Sequence, residues 1–317
     1  MDKVIADEAR MDELLTRGVD DVIVLEEFKK DLMSGRQLRI KLGIDPTGPK
    51  IHLGRAIPLR KLRELQKLGH QAVLVVGDFT AQIGDASDKT EKRPMLTRAQ
   101  IDENIKDYKN QIGKIIDISK TEFVYNNDWL SKLSFGDVVK MMDCFTVQQM
   151  LARRNFKDRY EAGKEISLRE FLYPMMQGYD SVEIKADVEL GGFDQLFNVK
   201  AGRIMQEYFG QPRQHIMVGT MLEGTDGRKM STSWENVITV VDEPFDMFGK
   251  LMSVRDELVI KYFTLCTDLS LEEIAGIEQE LKAGANPRDI KLRLATDIVT
   301  MYHSDKAAAL AKNAWVE

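Results

Sequence analysis

The sequence predicts an α/β fold, a parallel-sheet domain with a helical insertion, followed by an all-α domain. Three observations carry that prediction. Leu38, Ile40, Leu42 and Ile44 alternate as in a strand, Asp45-Pro46-Thr47-Gly48-Pro49 breaks the chain, and Ile57, Leu59, Leu62, Leu65 and Leu68 then recur at helical spacing. Ala72-Val73-Leu74-Val75-Val76 is an unbroken apolar run, the pattern of a strand covered on both faces. From Pro244 onward only helical periodicity remains, with Gly284-Ala285-Asn286-Pro287 as its clearest turn.

Taken in order, residues 1–35 read as an amphipathic helical arm with Leu14, Leu15, Val22, Ile23, Leu25, Phe28 and Leu32 as buried positions. The strand from Leu38 leads through the Pro/Gly turn to a helix opening at His52. That is the layout in which free N–H groups at a helix start attract phosphate. His70 reads as a helix C-terminal residue favoured by the dipole. The stretch 83–94 is polar and reads as a solvated loop. Thr97 caps a helix over 101–116, Glu122-Phe123-Val124-Tyr125 is a strand, and helices over 135–144 and 147–154 end in the basic cluster Arg153, Arg154, Lys157, Arg159. Ser167 and Glu170 form a capping box for a helix that sets Tyr173, Gln177 and Asp180 on one stripe, either a polar pocket wall or a solvent-facing stripe. Val188-Glu189-Leu190-Gly191-Gly192 repeats the strand–glycine–helix layout, and residues 214–218 form a further central strand. Residues 221–233 are a loop with two glycines, a basic pair and several hydroxyls, suited to a mobile phosphate clamp. A domain boundary is expected near Val241.

The chain has 317 residues, 30% of them charged, and a formal net charge of -6, which argues against indiscriminate nucleic-acid binding but not against one local basic surface. No apolar run approaches the ~18 residues of a membrane span, and the acidic start has no signal-peptide core, so a cytoplasmic protein that does not enter a membrane is expected. Cys144 and Cys266 read as two free thiols, and no Cys/His cluster supports a metal. The last residues run inside a helical pattern without a cap, which predicts a chain cut short of its full length.

Gly43 to Lys50 is not a phosphate-binding Walker loop, because Pro49 precedes the lysine and no Ser/Thr follows it. No Gly-x-Gly-x-x-Gly stands after the first strand. Instead, His52-Leu53-Gly54-Arg55 and Lys229-Met230-Ser231-Thr232-Ser233 together resemble the H-I-G-H and K-M-S-K-S pair of class I aminoacyl-tRNA synthetases. Gly43-Ile44-Asp45-Pro46-Thr47-Gly48-Pro49, Gly77-Asp78-Phe79-Thr80 with Ile83-Gly84-Asp85, Tyr173-x-x-x-Gln177-x-Tyr179-Asp180 and Gly191-Gly192-x-Asp194-Gln195 sharpen this to a resemblance to bacterial tyrosyl-tRNA synthetases, over essentially the whole chain.

That resemblance implies a Rossmann-like catalytic domain over residues 36–241 with a dimer-forming insertion at about 117–185, then a helical anticodon-binding domain over 242–317. Members carry a further small RNA-binding domain not found here. It implies that tyrosine and ATP form tyrosyl-adenylate, which passes to the terminal adenosine of tRNA(Tyr). Asp180 would accept the substrate phenol; Tyr173, Gln177 and Asp85 would surround its ammonium, and Gln195 its carboxylate. Asp45, Gly54, Gly192, Asp194, Leu222, Met230 and Ser231 would hold ATP, with magnesium as a substrate ligand and no tightly bound cofactor. His52, Thr47, Lys89, Arg93, Lys229 and Arg55 would neutralise charge on the leaving pyrophosphate. Arg153, Arg154, Lys157 and Arg159 are candidates for acceptor-stem phosphate, with an exposed helix end as the alternative, and a homodimer is implied.

Three positions depart from the pattern. Arg55 stands for the second motif histidine, Thr232 for the second lysine, and Lys41 for a tyrosine that reaches the phenol. Two rivals remain at this point, a tryptophan-specific relative and a non-catalytic RNA-binding paralogue.

Overall fold

The computed structural model describes residues 4–85 and 95–316. The chain divides into two compact units, one of residues 1–49, 60–109 and 116–220, the other of residues 50–59, 110–115 and 221–317. The expected boundary near Val241 falls inside the second unit.

The first unit is built on a six-stranded sheet: β1 (Val19–Ile23), β2 (Arg39–Ile44), β3 (Gln71–Val76), β4 (Thr121–Tyr125), β5 (Val188–Gly192) and β6 (His215–Gly219), in the order β1-β6-β5-β2-β3-β4. All pairs are parallel except β1 with β6. The interior strands read as apolar runs because both faces are covered. Chain order reverses at β2, which pairs with β3 on one side and β5 on the other. In open α/β sheets, ligands bind beyond the carboxyl ends of strands at such a reversal.

The N-terminal arm is not wholly helical. Helices Glu8–Thr16 and Leu25–Met33 bury Leu14, Leu15, Phe28 and Leu32 as expected, but Val19–Ile23 between them is a strand. β6 has an open edge whose backbone groups need partners, and this β-branched segment supplies them after Gly18, at φ 61, turns the chain. Val22 and Ile23 are consequently half-buried and Leu25 exposed.

His70 also departs from its expected role. It follows the helix Leu53–Lys67, is buried, and its Nδ1 accepts the Leu38 N–H at 3.2 Å. Burial, with Arg36 nearby, lowers its pKa to about 4, so it is a neutral acceptor rather than a dipole-stabilised cation.

The helix expected over 101–116 is split into Arg98–Ile105, with a Thr97/Gln100 capping box, and Tyr108–Gly113. Helices Phe135–Met142 and Val147–Leu151 follow, and the basic cluster opens a new helix, Arg154–Glu161, instead of ending one. The Ser167/Glu170 box starts helix Leu168–Glu183, which packs on Leu196–Tyr208. A Cβ on Gly178 would lie 2.8 Å from the Ala201 carbonyl oxygen, so glycine here is what lets the two backbones approach.

The second unit is mainly helical, with Pro244–Met252, Val259–Cys266, Leu271–Lys282, Pro287–Tyr302 and Asp305–Val316 around Met247, Phe248, Tyr262, Phe263, Leu294 and Ile298. Asn286 caps the helix whose first turn holds Pro287, as the turn signal predicts. Ile51 and His52 run beside residues 238–240: Val240 N–H donates to Ile51 O at 2.9 Å and Leu53 N–H to Ile238 O at 2.8 Å. Cys266 is buried, Cys144 half-buried, and both are free thiols. No helix among the described residues is long and apolar enough to cross a membrane.

Candidate active site

In the first unit, the stripe on helix Leu168–Glu183 faces inward. Tyr173, Gln177 and Asp180 are all buried, so the stripe is not a solvent-facing one. Tyr173 Oη donates to Asp45 Oδ2 at 2.9 Å, and the other Asp45 oxygen accepts Thr80 Oγ1 at 2.8 Å. With its proton committed to Asp45, the Tyr173 oxygen offers only lone pairs to a ligand. Burial first, then the carboxylates of Asp45 and Asp85, push its pKa well up and keep it neutral. A Cβ on Gly77 would collide with the Asp45 carboxylate, so the glycine after β3 makes room for this bond.

Asp180 accepts Trp129 Nε1 at 2.8 Å and Asn126 Nδ2 at 3.2 Å. Burial raises its pKa to about 7, with the Lys41 charge and the two donors opposing the rise. With a pKa near neutrality the carboxyl passes between its protonated and ionised forms around pH 7, and in the ionised form it accepts from both donors. Asp85 accepts Asn198 Nδ2 at 3.2 Å, with the Arg153 guanidinium 4.0 Å away. Gly192 closes β5, where a Cβ would crowd Asp194, and Gln195 precedes helix Leu196–Tyr208. Thr47 turns tightly on Asp45, its N–H donating to the Asp45 carbonyl at 2.8 Å.

Lys41 makes no provision for a substrate. Its ammonium donates to Gln177 O and Ser181 Oγ, both at 2.7 Å, and pairs with Glu189 at 2.9 Å, so all three donors are spent inside the core. At the position where the resemblance places a tyrosine that reaches the phenol, this chain thus has a side chain bound within the core. Removing either member of this pair alone leaves a buried charge unpaired, a loss of about 3–5 kcal/mol.

Two of the four basic candidates for RNA phosphate are also corrected. Arg159 is 1% exposed and forks onto Glu170, whose carboxylate neutralises it in the interior. Arg153 is buried between the rings of Phe156 and Phe197. Arg154 and Lys157 are exposed.

The second unit carries the two signature motifs. His52 Nδ1 accepts the Arg55 backbone N–H at 3.3 Å, which places the ring proton on Nε2 and leaves that nitrogen as a donor. Burial, then the charges of Arg55 and Lys229, lower its pKa to about 3, so the ring is neutral at physiological pH. Gly54 N–H points at Met230 Sδ, 3.4 Å away, and Met230 N–H donates to Leu222 O, which ties the two motifs together within this unit. Leu222 and Met230 are buried; Lys229, Arg55 and Ser231 are half-buried. The expected phosphate clamp is a pinned hairpin. Asn236 Oδ1 accepts Ser231 N–H at 2.8 Å, while its Nδ2 donates to Asp226 at 2.7 Å and to Lys229 O at 3.1 Å. That bond is the first cause of a lowered Asp226 pKa. Lys89 and Arg93 lie outside the described residues. Among the described residues no cluster of three or more His, Cys, Asp or Glu stands ready for a metal.

Reading the sequence missed Glu189, Asn126, Trp129 and Asn236. Signals existed for three of them. Glu189 is the one charge of β5 and Lys41 a charge between the apolar Ile40 and Leu42 of β2, and Asn126 and Trp129 follow the carboxyl end of a parallel strand. Nothing local marks Asn236.

A model of the family tRNA synthetases class I (W and Y) matches residues 33–317. The chain is 51% identical over 303 residues to a tyrosine–tRNA ligase of Dehalococcoides mccartyi, covering 95% of this chain and 76% of that protein. It is 47% identical over 306 residues to that of Thermotoga maritima, covering 96% and 76%. In fold it is similar to the tyrosyl-tRNA synthetase of Archaeoglobus fulgidus complexed with L-tyrosine (TM-score 0.77, 21% identity, 96% of this chain and 100% of that one). It is similarly close to a C-terminally truncated mitochondrial tyrosyl-tRNA synthetase of Coccidioides posadasii (TM-score 0.77, 22% identity, 97% and 92%). With its motif pair, its buried polar stripe and this match over most of its length, the chain belongs to the W and Y family of class I tRNA synthetases.

Proposed function

We propose that this chain is a tyrosine–tRNA ligase, joining tyrosine to ATP as tyrosyl-adenylate and passing it to the terminal adenosine of tRNA(Tyr). The observation that carries the choice of amino acid is Asp180, a buried carboxylate aimed at by two donors and still able to accept a third. A phenolic hydroxyl satisfies it. Phenylalanine would leave it unpaired, and an indole carries its N–H elsewhere on a larger ring. Tyr173 and Gln177 supply neutral acceptors to the ammonium, and Asp85 a counter-charge.

The reaction needs placement and charge neutralisation more than covalent help. The tyrosine carboxylate, held by Gln195, attacks the α-phosphorus, and pyrophosphate leaves. His52 donates from Nε2 to the phosphates as a neutral hydrogen-bond donor, and Thr47, Lys229, Arg55, Lys89 and Arg93 are assigned to the same developing charge. Asp194 is assigned to the ribose. Asp45 is committed on both oxygens to Tyr173 and Thr80, which favours a supporting part for it. Magnesium arrives with ATP as a substrate ligand.

A homodimer is supported by the apolar surface of the insertion, where Phe135 is 84%, Leu168 80% and Tyr160 67% exposed. Arg154 and Lys157 stay candidates for acceptor-stem phosphate, and residues 242–317 for the anticodon.

Exchange of labelled pyrophosphate into ATP with tyrosine, with tryptophan and with no amino acid tests the reading. Tyrosine-dependent exchange alone is expected. Tryptophan-dependent exchange would transfer the chain to the other branch, and none with either would make it a non-catalytic paralogue.

A further inference from the structure

The Lys41–Glu189 pair takes no part in the reaction as described, yet it touches the stripe that selects the amino acid. The two residues stand opposite each other in the β2/β5 register, both fully buried. Their contacts grip Gln177 at two points: Lys41 Nζ donates to its backbone carbonyl at 2.7 Å, and Glu189 Oε1 accepts its side-chain Nε2 at 3.0 Å. A carboxylate only accepts, so the Gln177 amide cannot turn over, and its Oε1 faces away from Glu189. The remaining Glu189 oxygen takes Ser181 Oγ at 3.2 Å and Gln214 Nε2.

The same two charges act on Asp180 with opposite sign, Lys41 from β2 favouring its ionised form and Glu189 from β5 opposing it. Asp128 of the helix Asn127–Leu130 is exposed, and that helix and the residue before it direct the neutral donors Trp129 and Asn126 at Asp180; on the helix of Asp180 itself Tyr173 is neutral, its hydroxyl bonded to Asp45.

We propose that Lys41 and Glu189 are positioning residues for amino-acid selection: together they fix the Gln177 amide with its oxygen presented to the ligand and set a paired charge against Gln177 and Ser181, on the helix turn that carries Asp180. The role rests on the tyrosine-specific reading above and assigns a task to the position where the resemblance places a tyrosine that reaches the phenol.

The test measures tyrosine-dependent pyrophosphate exchange between pH 5.5 and 9 for the unchanged chain, Lys41→Met and Glu189→Gln, with folding followed by circular dichroism. Asp180 must be ionised to accept the phenol, so kcat/KM for tyrosine falls on the acid side of its titration. The unchanged chain should show that limb near pH 7. Loss of the positive charge should move it up by about one unit, and loss of the negative charge should move it down by a few tenths. KM for ATP should stay unchanged. A merely structural role would lower activity in both variants without displacing the limb in opposite directions. Limbs that stay in place, shift with the same sign, or are missing from the unchanged chain overturn the proposal. If Lys41→Met does not fold, Glu189→Gln decides alone, a downward shift supporting the role and any other result overturning it. Should neither variant fold, the double variant Lys41→Met/Glu189→Gln, which leaves no buried charge unpaired, decides: an upward shift of the limb supports the role and any other result overturns it. Absence of tyrosine-dependent exchange in the unchanged chain would sink the proposed function, whereas normal exchange with unmoved limbs would sink only this inference.

Discussion

The two units hold their functional groups by different means. In the first, Tyr173, Gln177 and Asp180 are buried side chains whose partners are other buried side chains, Asp45, Glu189, Trp129 and Asn126 among them. In the second, His52 and Lys229 are held mainly through backbone bonds, by Arg55 N–H on one and Asn236 on the other. Recognition of a small rigid molecule calls for a fixed set of donors and acceptors, since one unpaired group in a dry pocket costs about 1–3 kcal/mol. Stabilising charge on a phosphate chain calls for donors at fixed positions with their tips left open.

If that contrast is right, substitutions in the two units split kinetically. His52→Ala should have the largest effect, lowering kcat for tyrosine-dependent exchange by about 10²–10³ with KM for tyrosine unmoved, because one donor to the developing charge is gone. A rise in KM for tyrosine instead would erase the division of labour.

Asp180→Asn should act on binding and on stability in opposite senses. Losing a hydrogen bond to a charged acceptor should lower kcat/KM for tyrosine about 10–100-fold. The folded-state pKa of Asp180 is raised from 3.8 to about 7, so the folded protein binds the extra proton between those values and stability falls as pH rises through that window. At pH 8 the ionised group is thus a liability, and the asparagine variant should unfold about 1–2 kcal/mol later in a denaturant titration, below the ceiling of ~4 kcal/mol set by the shift. Equal stability of the two proteins at pH 8 would refute the burden assigned to this carboxylate.

The smallest effect is expected at Glu235, one of two non-glycine residues in the described chain with positive φ, at 54°. Glu235→Gly should stabilise the second unit by about 0.5–1 kcal/mol by relieving left-handed strain, with exchange kinetics unaltered. Thermal unfolding reads this directly.

Much of this was legible beforehand. β2 announces itself through the alternation of Leu38, Ile40, Leu42 and Ile44, β3 through an unbroken apolar run and β5 through its closing glycines, and the capping boxes at Thr97 and Ser167 mark helix starts without tertiary help. The motif pair pointed to the family, and helical spacing put Tyr173, Gln177 and Asp180 on one face. What stayed hidden depends on tertiary partners. β1 is a strand only because β6 offers an edge, and Lys41 changes its part because Glu189 lies 148 positions further along the chain. Arg153 and Arg159 look like surface charge until Phe197 and Glu170 cover them. Spacing reports which face a residue takes, not what stands opposite.

Asn236 gives the hairpin of the second motif a mechanical character. One buried amide binds residues 226, 229 and 231, while its backbone carbonyl holds Thr225 and a Cβ on Gly224 would strike it. The segment therefore behaves as a plate and not as a string. Displacing the Lys229 backbone would break its bond to Asn236 and strain those that the same amide makes to Asp226 and Ser231. The ordering entropy of the segment is met when the protein folds.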